Sequence, residues 1–192
     1  MAKYKMLIPL EKNIELFAGE ITSMKIMEGS EALTEKTDKK KLAEWIQSAM
    51  ERMDSLVDEK TRVQIMENCG YNCAIVNKKA IEKGKAKRMK YKTIDEFLEA
   101  EERKPSSGTR LAREGKLLHY FYTPKEFSRP MRCYCGLLRA LPEDKTVSST
   151  YCNCSRGFVK KYWERILDKP VQVQPKQSAV TGAADCEFLI QY

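Results

Sequence analysis

The sequence has no apolar run approaching the ~20 residues a membrane helix needs. Its opening apolar stretch, Met6 to Leu10, is too short for a secretory signal core and is followed at once by charge. These two absences point to a cytoplasmic protein with no membrane partner. Histidine is almost missing, since His119 is the only one in 192 residues. A Cys/His catalytic pair therefore has no other imidazole to use. No internal repeat is visible. The cysteines follow neither the C-x2-C spacing of zinc ribbons nor the common ferredoxin run.

What remains is an ordinary globular balance, with 42% hydrophobic and 32% charged residues, enough to bury a core. The length suits one domain, with a possible internal break near 104–109, where Pro105, Ser106, Ser107 and Gly108 interrupt the pattern. Residues 1–103 read as helical and 110–192 as β-rich. The fold class expected is α+β, with N-terminal helices packed on a mostly antiparallel C-terminal sheet.

Ile14, Leu16, Phe17, Ile21, Met24 and Met27 recur at mostly helical spacing before Gly29. Leu42, Trp45, Ile46, Ala49, Met50, Met53, Leu56 and Val57 share one face of the clearest helix, with Thr37 or Asp38 as its cap. Asp58 can cap a shorter helix that meets Cys69 and Gly70. A helical pattern then resumes from Tyr71 and ends at Gly84. Thr93 can cap a helix through Arg103. Strands are expected over residues 117–122, 133–141, 147–152, 171–180 and 186–192. Ser155 is the expected cap of a helix carrying Phe158, Val159, Tyr162, Trp163, Ile166 and Leu167.

Seven cysteines are many for a reducing compartment, and an odd number cannot pair completely. Six of them form close pairs: Cys69 with Cys73, Cys133 with Cys135, and Cys152 with Cys154. Four residues along a helix put Cys69 and Cys73 on one face. Two residues along a strand would do the same for Cys133 and Cys135. Convergence of all three pairs would make a soft-ligand site suited to zinc or an iron–sulfur cluster. Thiol catalysis or redox chemistry, and plain core packing, remain as alternatives. Cys186 alternates with Phe188 and Ile190 and reads as a buried core thiol. Cys154, next to Arg156 at an expected helix N-terminus, is the candidate nucleophile, because the dipole and the guanidinium would favour thiolate. The same N-terminus could hold an anionic substrate group. Tyr120, Tyr122, Tyr134, Tyr151 and Phe158 are candidates to line an apolar pocket beside the sulfurs, with Arg156 at its edge.

The net charge is +8, and the basic stretch 78–92 holds Lys78, Lys79, Lys83, Lys85, Lys87, Arg88, Lys90 and Lys92. It could track phosphates, but it lacks interleaved aromatics and is followed by Asp95, Glu96, Glu99, Glu101 and Glu102. Pairing between the basic and acidic stretches is the simpler account.

The segment Cys152-Asn153-Cys154-Ser155-Arg156-Gly157-Phe158, then Lys169-Pro170-Val171-Gln172-Val173, then Gly182 and Cys186-Glu187-Phe188-Leu189-Ile190, resembles the C-terminal part of 4-vinyl-reductase-type small-molecule-binding domains. It is also similar to the end of the aminothiazoline-carboxylate hydrolase-like family. The likeness covers about a fifth of the chain and implies helices on an antiparallel sheet with a pocket between them. It marks Cys152, Cys154 and Cys186 as candidate positions. The first family implies a small-molecule ligand and metal-binding cysteines, the second a ring-opening hydrolysis. Fold likeness alone carries no substrate.

The reading is a small-molecule-binding domain with a cysteine-lined metal site. Its candidate ligands are Cys69, Cys73, Cys133, Cys135, Cys152 and Cys154. The alternatives are a hydrolase using a metal-activated water or Cys154 with His119, and a nucleic-acid-associated protein using the 78–92 stretch.

Overall fold

The computed structural model describes residues 4–126 and 131–192. Six helices come first: α1 Ile8–Ala18, α2 Glu20–Ile26, α3 Lys39–Leu56, α4 Glu59–Val76, α5 Lys78–Arg88 and α6 Ile94–Arg103. Strands β1 Thr109–Glu114 and β2 Leu117–Tyr122 follow. Helix α7 Cys152–Leu167 precedes β3 Gln172–Gln177 and β4 Cys186–Gln191. The strands form one antiparallel sheet in the order β1-β2-β4-β3. The chain is α+β, as its patterning implies.

Three caps sit where short polar side chains preceded apolar periodicity. Asp38 accepts from the Lys40 and Lys41 amides, Asp58 from Thr61 and Thr93 from Glu96. Each such cap contributes about 1 kcal/mol to its helix. Most of the α3 stripe is core, with Leu42, Ile46, Ala49, Met50 and Met53 fully buried, while Leu56 at its end is exposed. The first stripe behaves differently. The chain breaks at Gly19, whose φ of 84° ends α1 and starts α2 at a new angle. Ile14 is then buried, while Leu16, Ile21 and Met24 stay exposed.

Two expected helix stops are not stops. Helix α4 runs straight through Gly70, and Gly84 lies inside α5. Both glycines serve close packing against α7: a Cβ on Gly84 would lie 3.0 Å from Ile166 Cδ1 and 3.1 Å from the Tyr162 hydroxyl. Two expected strands are also missing. Residues 133–141 are turns, and 147–152 contain a short 3-10 turn that runs into α7. Helix α7 thus begins three residues before the expected cap Ser155. The polar β1, with Leu111 as its one buried position, was not foreseen.

The apolar side chains gather in two cores. Helices α1 to α4, the 137–151 segment and Val180 enclose the first. The second lies between the sheet and α6 and α7, with Leu118, Tyr120, Phe188, Ile190 and Val173 facing Val159, Trp163, Phe97 and Leu98. Helix α7 serves both. Cys152 and Cys154 of its first turn touch the helical core, and Val159 to Leu167 cover the sheet.

Candidate functional site

The site begins at a helix crossing. A Cβ on Gly70 would lie 2.1 Å from the Cys154 carbonyl oxygen, and one on Gly157 would lie 2.3 Å from that of Glu67. Helices α4 and α7 therefore touch backbone to backbone, which only glycine permits. Arg156 locks the crossing, with Nε 3.0 Å from Glu67 Oε1 and donating to Val173 O at 3.0 Å. This contact brings Cys69 and Cys73, one turn apart on α4, alongside Cys154 in the first turn of α7.

A loop supplies the other two thiols. Arg132 is buried and donates to the carbonyls of Pro142 at 2.7 Å, Lys145 at 3.0 Å and Ala179 at 3.2 Å. Arg139 donates to Tyr134 O at 2.9 Å. These bonds fold residues 132–145 back on themselves, and Cys133 and Cys135 pack against the helical core with Cys69 and Cys154.

Cys135 is the hub. Charge on it raises the pKa of Cys69, Cys73, Cys133 and Cys154. Burial is the larger cause in each case. It pushes the Cys69 thiol up to about 12, although the Asn13 amide pulls the other way. Cys133 and Cys154 are also driven upward, and Cys73, at the exposed rim, rises too. The expectation that the helix N-terminus and Arg156 would make Cys154 a thiolate is overturned. Its thiol is desolvated among other thiols, and Arg156 is spent on Glu67 and Val173.

Four of the five sulfurs accept a hydrogen bond. Asn13 Nδ2 reaches Cys69 Sγ at 3.5 Å, Asn77 Nδ2 reaches Cys73 Sγ at 3.4 Å, the Cys135 amide reaches Cys133 Sγ at 3.4 Å, and the Tyr151 hydroxyl reaches Cys135 Sγ at 3.0 Å. Both asparagine amides are oriented independently of the sulfurs. Asn13 Nδ2 also donates to Pro9 O at 2.8 Å, and Asn77 Nδ2 to Cys73 O at 2.8 Å. A carbonyl oxygen can only accept, so the NH2 end faces the sulfur in each case.

The three expected cysteine pairs converge only in part. Cys152 and Cys154 lie in one helical turn, where two residues are about 200° apart. Cys152 therefore turns away from Cys154 and donates to Ser178 Oγ at 2.9 Å; burial raises its pKa to about 11, and charge on it and on Cys186 is still felt by Cys133. Cys186 lies on the same serine at 3.9 Å and accepts from the Ala179 amide at 3.4 Å. All seven cysteines are free thiols. Among the described residues, no three His, Cys, Asp or Glu side chains stand ready-placed around a single ion.

His119 is not near these thiols. It pairs with Leu189 across the sheet, while its neighbours Leu118 and Tyr120 pair with Ile190 and Phe188 on the face that α7 covers. Strand alternation therefore turns His119 to the opposite face. There its Nδ1 lies 2.8 Å from Glu187 Oε1. A Cys154–His119 pair is excluded by the sheet between them.

Of the expected pocket-lining residues, Tyr151 meets the thiols through its hydroxyl, which donates to Cys135 Sγ. Tyr120, Tyr122 and Tyr134 form an edge-to-face chain, with ring centroids 5.4 Å and 5.1 Å apart, that continues to Phe188 and Trp163. Phe158 stacks on Tyr162. These rings fill space rather than enclose it. A groove of about 540 Å³ lies elsewhere, lined by Arg156, Lys160, Leu117, Val173, Pro175 and Leu189 among others, with no cysteine. The basic stretch is partly committed to the protein itself. Lys87 pairs with Glu101, Lys85 with Asp168, and Arg88 donates to Tyr91 O.

Sequence reasoning missed Asn13, Asn77, Arg132 and Ser178. Asn77 carried a signal in its i+4 spacing from Cys73. Asn13 carried one as a polar residue between Leu10 and Ile14, both of which face the core. No helix of the described residues is long and apolar enough to cross a membrane. A search of curated proteins finds no match. A family model matches residues 7–191, and the chain belongs to that family, DUF6144, a family of unknown function.

Proposed function

We propose that the protein is a binding domain whose site is the thiol cluster at the junction of α1, α4 and α7, and whose ligand is a soft metal held by thiolates. One observation supports this reading: Cys69, Cys73, Cys133 and Cys154, from three separate chain segments, all feel charge on Cys135, and burial raises the pKa of these four thiols. Such thiols are poor nucleophiles, but a metal cation deprotonates the thiols that coordinate it and supplies the charge that burial denies. Zinc and an iron–sulfur cluster both suit an all-sulfur donor set. The rim at Cys73 is the side from which a small molecule would reach the metal. Ligation requires the sulfurs to draw together, because among the described residues no three ligand side chains are grouped around one ion. A cytoplasmic setting agrees with the reading, because reducing conditions keep the thiols free. The C-terminal likeness to 4-vinyl-reductase-type domains agrees with a ligand-binding role and adds no ligand.

Of the hydrolase alternative, the form with Cys154 and His119 is disfavoured, because His119 faces away across the sheet and burial raises the Cys154 pKa, and the form with a metal-activated water shares the metal test below. The test is to purify the protein without oxygen and count zinc, iron and acid-labile sulfide per chain. About one metal centre per chain is expected, as for structural thiolate sites generally. Metal-free protein that also fails to take up zinc or iron would overturn the proposal and leave the thiols as core packing.

A further inference from the structure

The groove beside β3 is chemically unlike the thiol cluster. Among the described residues its lining holds two cations, Arg156 and Lys160 of α7, and no aspartate or glutamate. The contacts that withhold Arg156 from Cys154 both fall on Nε, which faces Glu67 Oε1 and Val173 O. They fix the guanidinium plane and leave its two Nη groups without a partner among the described residues. Lys160 is half-buried and forms no hydrogen bond or ion pair among them either. A pre-oriented fork of N–H donors matches the two oxygens of a carboxylate, while an ammonium adds charge without direction. Glu67 offsets one of the two cations, so one net positive charge remains, which suits a single carboxylate better than a doubly charged phosphate.

Leu117 and Leu189 supply apolar surface to the same groove. Strand alternation puts them with His119 on the face that α7 leaves open, both half-buried and outside the two cores. Gln174 and Gln191 are exposed there, each with an amide that can donate or accept. The volume of about 540 Å³ falls within the ~300–1,000 Å³ of small-molecule sites. Two other occupants fit less well. An added strand would run along β3, but the Val173 carbonyl is taken by Arg156 and Pro175 has no N–H to offer. A nucleic-acid backbone needs a line of cations, and this groove has two.

We infer that the groove is a second binding site, separate from the thiols, for a small organic acid. Arg156 and Lys160 hold its one carboxylate, and its apolar body lies on Leu117 and Leu189. The inference does not depend on the metal reading. Binding is non-covalent and needs no co-reactant.

The test follows the backbone and side-chain amide signals of the isotope-labelled full chain by NMR as phenylpropionate is added. Saturable shifts are expected at Gln174, Leu189 and Gln191, and none at Asn13 or Asn77 beside the thiols. Phenylpropionamide keeps the ring and loses the charge, and it should bind about tenfold more weakly or not at all. Inorganic phosphate should not displace the acid at equal concentration. Lys160→Gln removes a cation that holds nothing else in the fold, and it should weaken binding about two- to fivefold, the worth of one exposed ion pair. Arg156→Lys keeps the charge, loses the fork and should weaken binding further. If Arg156→Lys fails to fold, the acid–amide comparison and Lys160→Gln still decide. Equal binding of acid and amide, displacement by phosphate, unchanged affinity in Lys160→Gln, or the absence of saturable shifts at these residues would each overturn the inference.

Discussion

A Cβ on Gly70 would stand 3.0 Å from the carbonyl carbon of Gly157, so these two glycines set the distance between α4 and α7. Cys69 adjoins Gly70 and Cys154 lies three residues before Gly157, so the spacing of these thiols depends on that contact. Gly70→Ala or Gly157→Ala must push backbone from backbone, because neither neighbour is a flexible side chain. The expected loss is at the upper end of the 1–3 kcal/mol typical of overpacking, or beyond it. Denaturant unfolding measures it. Wild-type stability in both variants would show that the helices can separate freely.

Arg132 is the second determinant. Replacing it with Met takes the guanidinium from three carbonyls; those of Pro142 and Ala179 keep the Lys145 and Gly182 amides, and the loss of the Lys145 carbonyl's donor costs about 1–3 kcal/mol if water cannot reach it. Cys133 and Cys135 should then alkylate faster than in the wild-type protein, while Cys152 keeps its rate. Peptide mapping after timed alkylation reads both. Equal rates at Cys133 and Cys135 before and after the change would show that the loop is held by something else.

Burial of the thiols has a pH signature. The Cys69 thiol rises from 9.0 to about 12 and that of Cys152 to about 11. The folded state therefore holds protons that the unfolded chain releases first. The stability linked to them is fully present below pH 9 and is lost as pH rises through the folded values. Metal-free protein should lose stability steadily from about pH 9 upward, and a Cys69→Ser, Cys152→Ser double variant should lose less over that window. Parallel slopes for the two proteins would contradict this. At neutral pH the buried thiols should react slowly with iodoacetamide, and Cys73 at the rim should react first.

His119→Gln should change little. The residue sits on the outer face of the sheet with Glu187, and both side chains are partly exposed. Loss of a partly exposed polar contact in that setting is worth about 0.5 kcal/mol. Metal uptake and thiol reactivity should match the wild-type protein. A changed metal stoichiometry would place His119 in the site after all.

Much of the helical half was legible because its signals are local. The α3 stripe, the capping side chains Asp38, Asp58 and Thr93, and the alternation in β2 and β4 each act within a few residues of themselves. The unreadable parts depend on partners far along the chain. Gly70 looks like a helix stop in the sequence, and only its contact with Cys154 and Phe158 shows why a glycine is there. Residues 133–141 have the apolar content of a strand. Arg132 draws the carbonyls of Pro142 and Lys145 inward, and the segment turns instead of extending. The spacing of Cys152 and Cys154 suggested a shared pocket. Placing both in one helical turn separates them, and their two destinations then follow from geometry. The candidate site was legible as a set of thiols but not as a set of donors, because Asn13 lies 56 residues from Cys69.

Helix α7 has a thermodynamic consequence. Its first turn is wall to one core and the rest of its length is wall to the other, so neither core can melt without uncovering a neighbour of the second. An ion captured by thiols that pack against that first turn raises the cost of opening the strands at the far end of the same rod, by an amount that grows with the logarithm of its concentration. Tryptophan fluorescence from Trp163, remote in sequence from the thiols of α4 and the Arg132 loop, should follow the same melting curve as a probe of the helical half, and both curves should move together when metal is added.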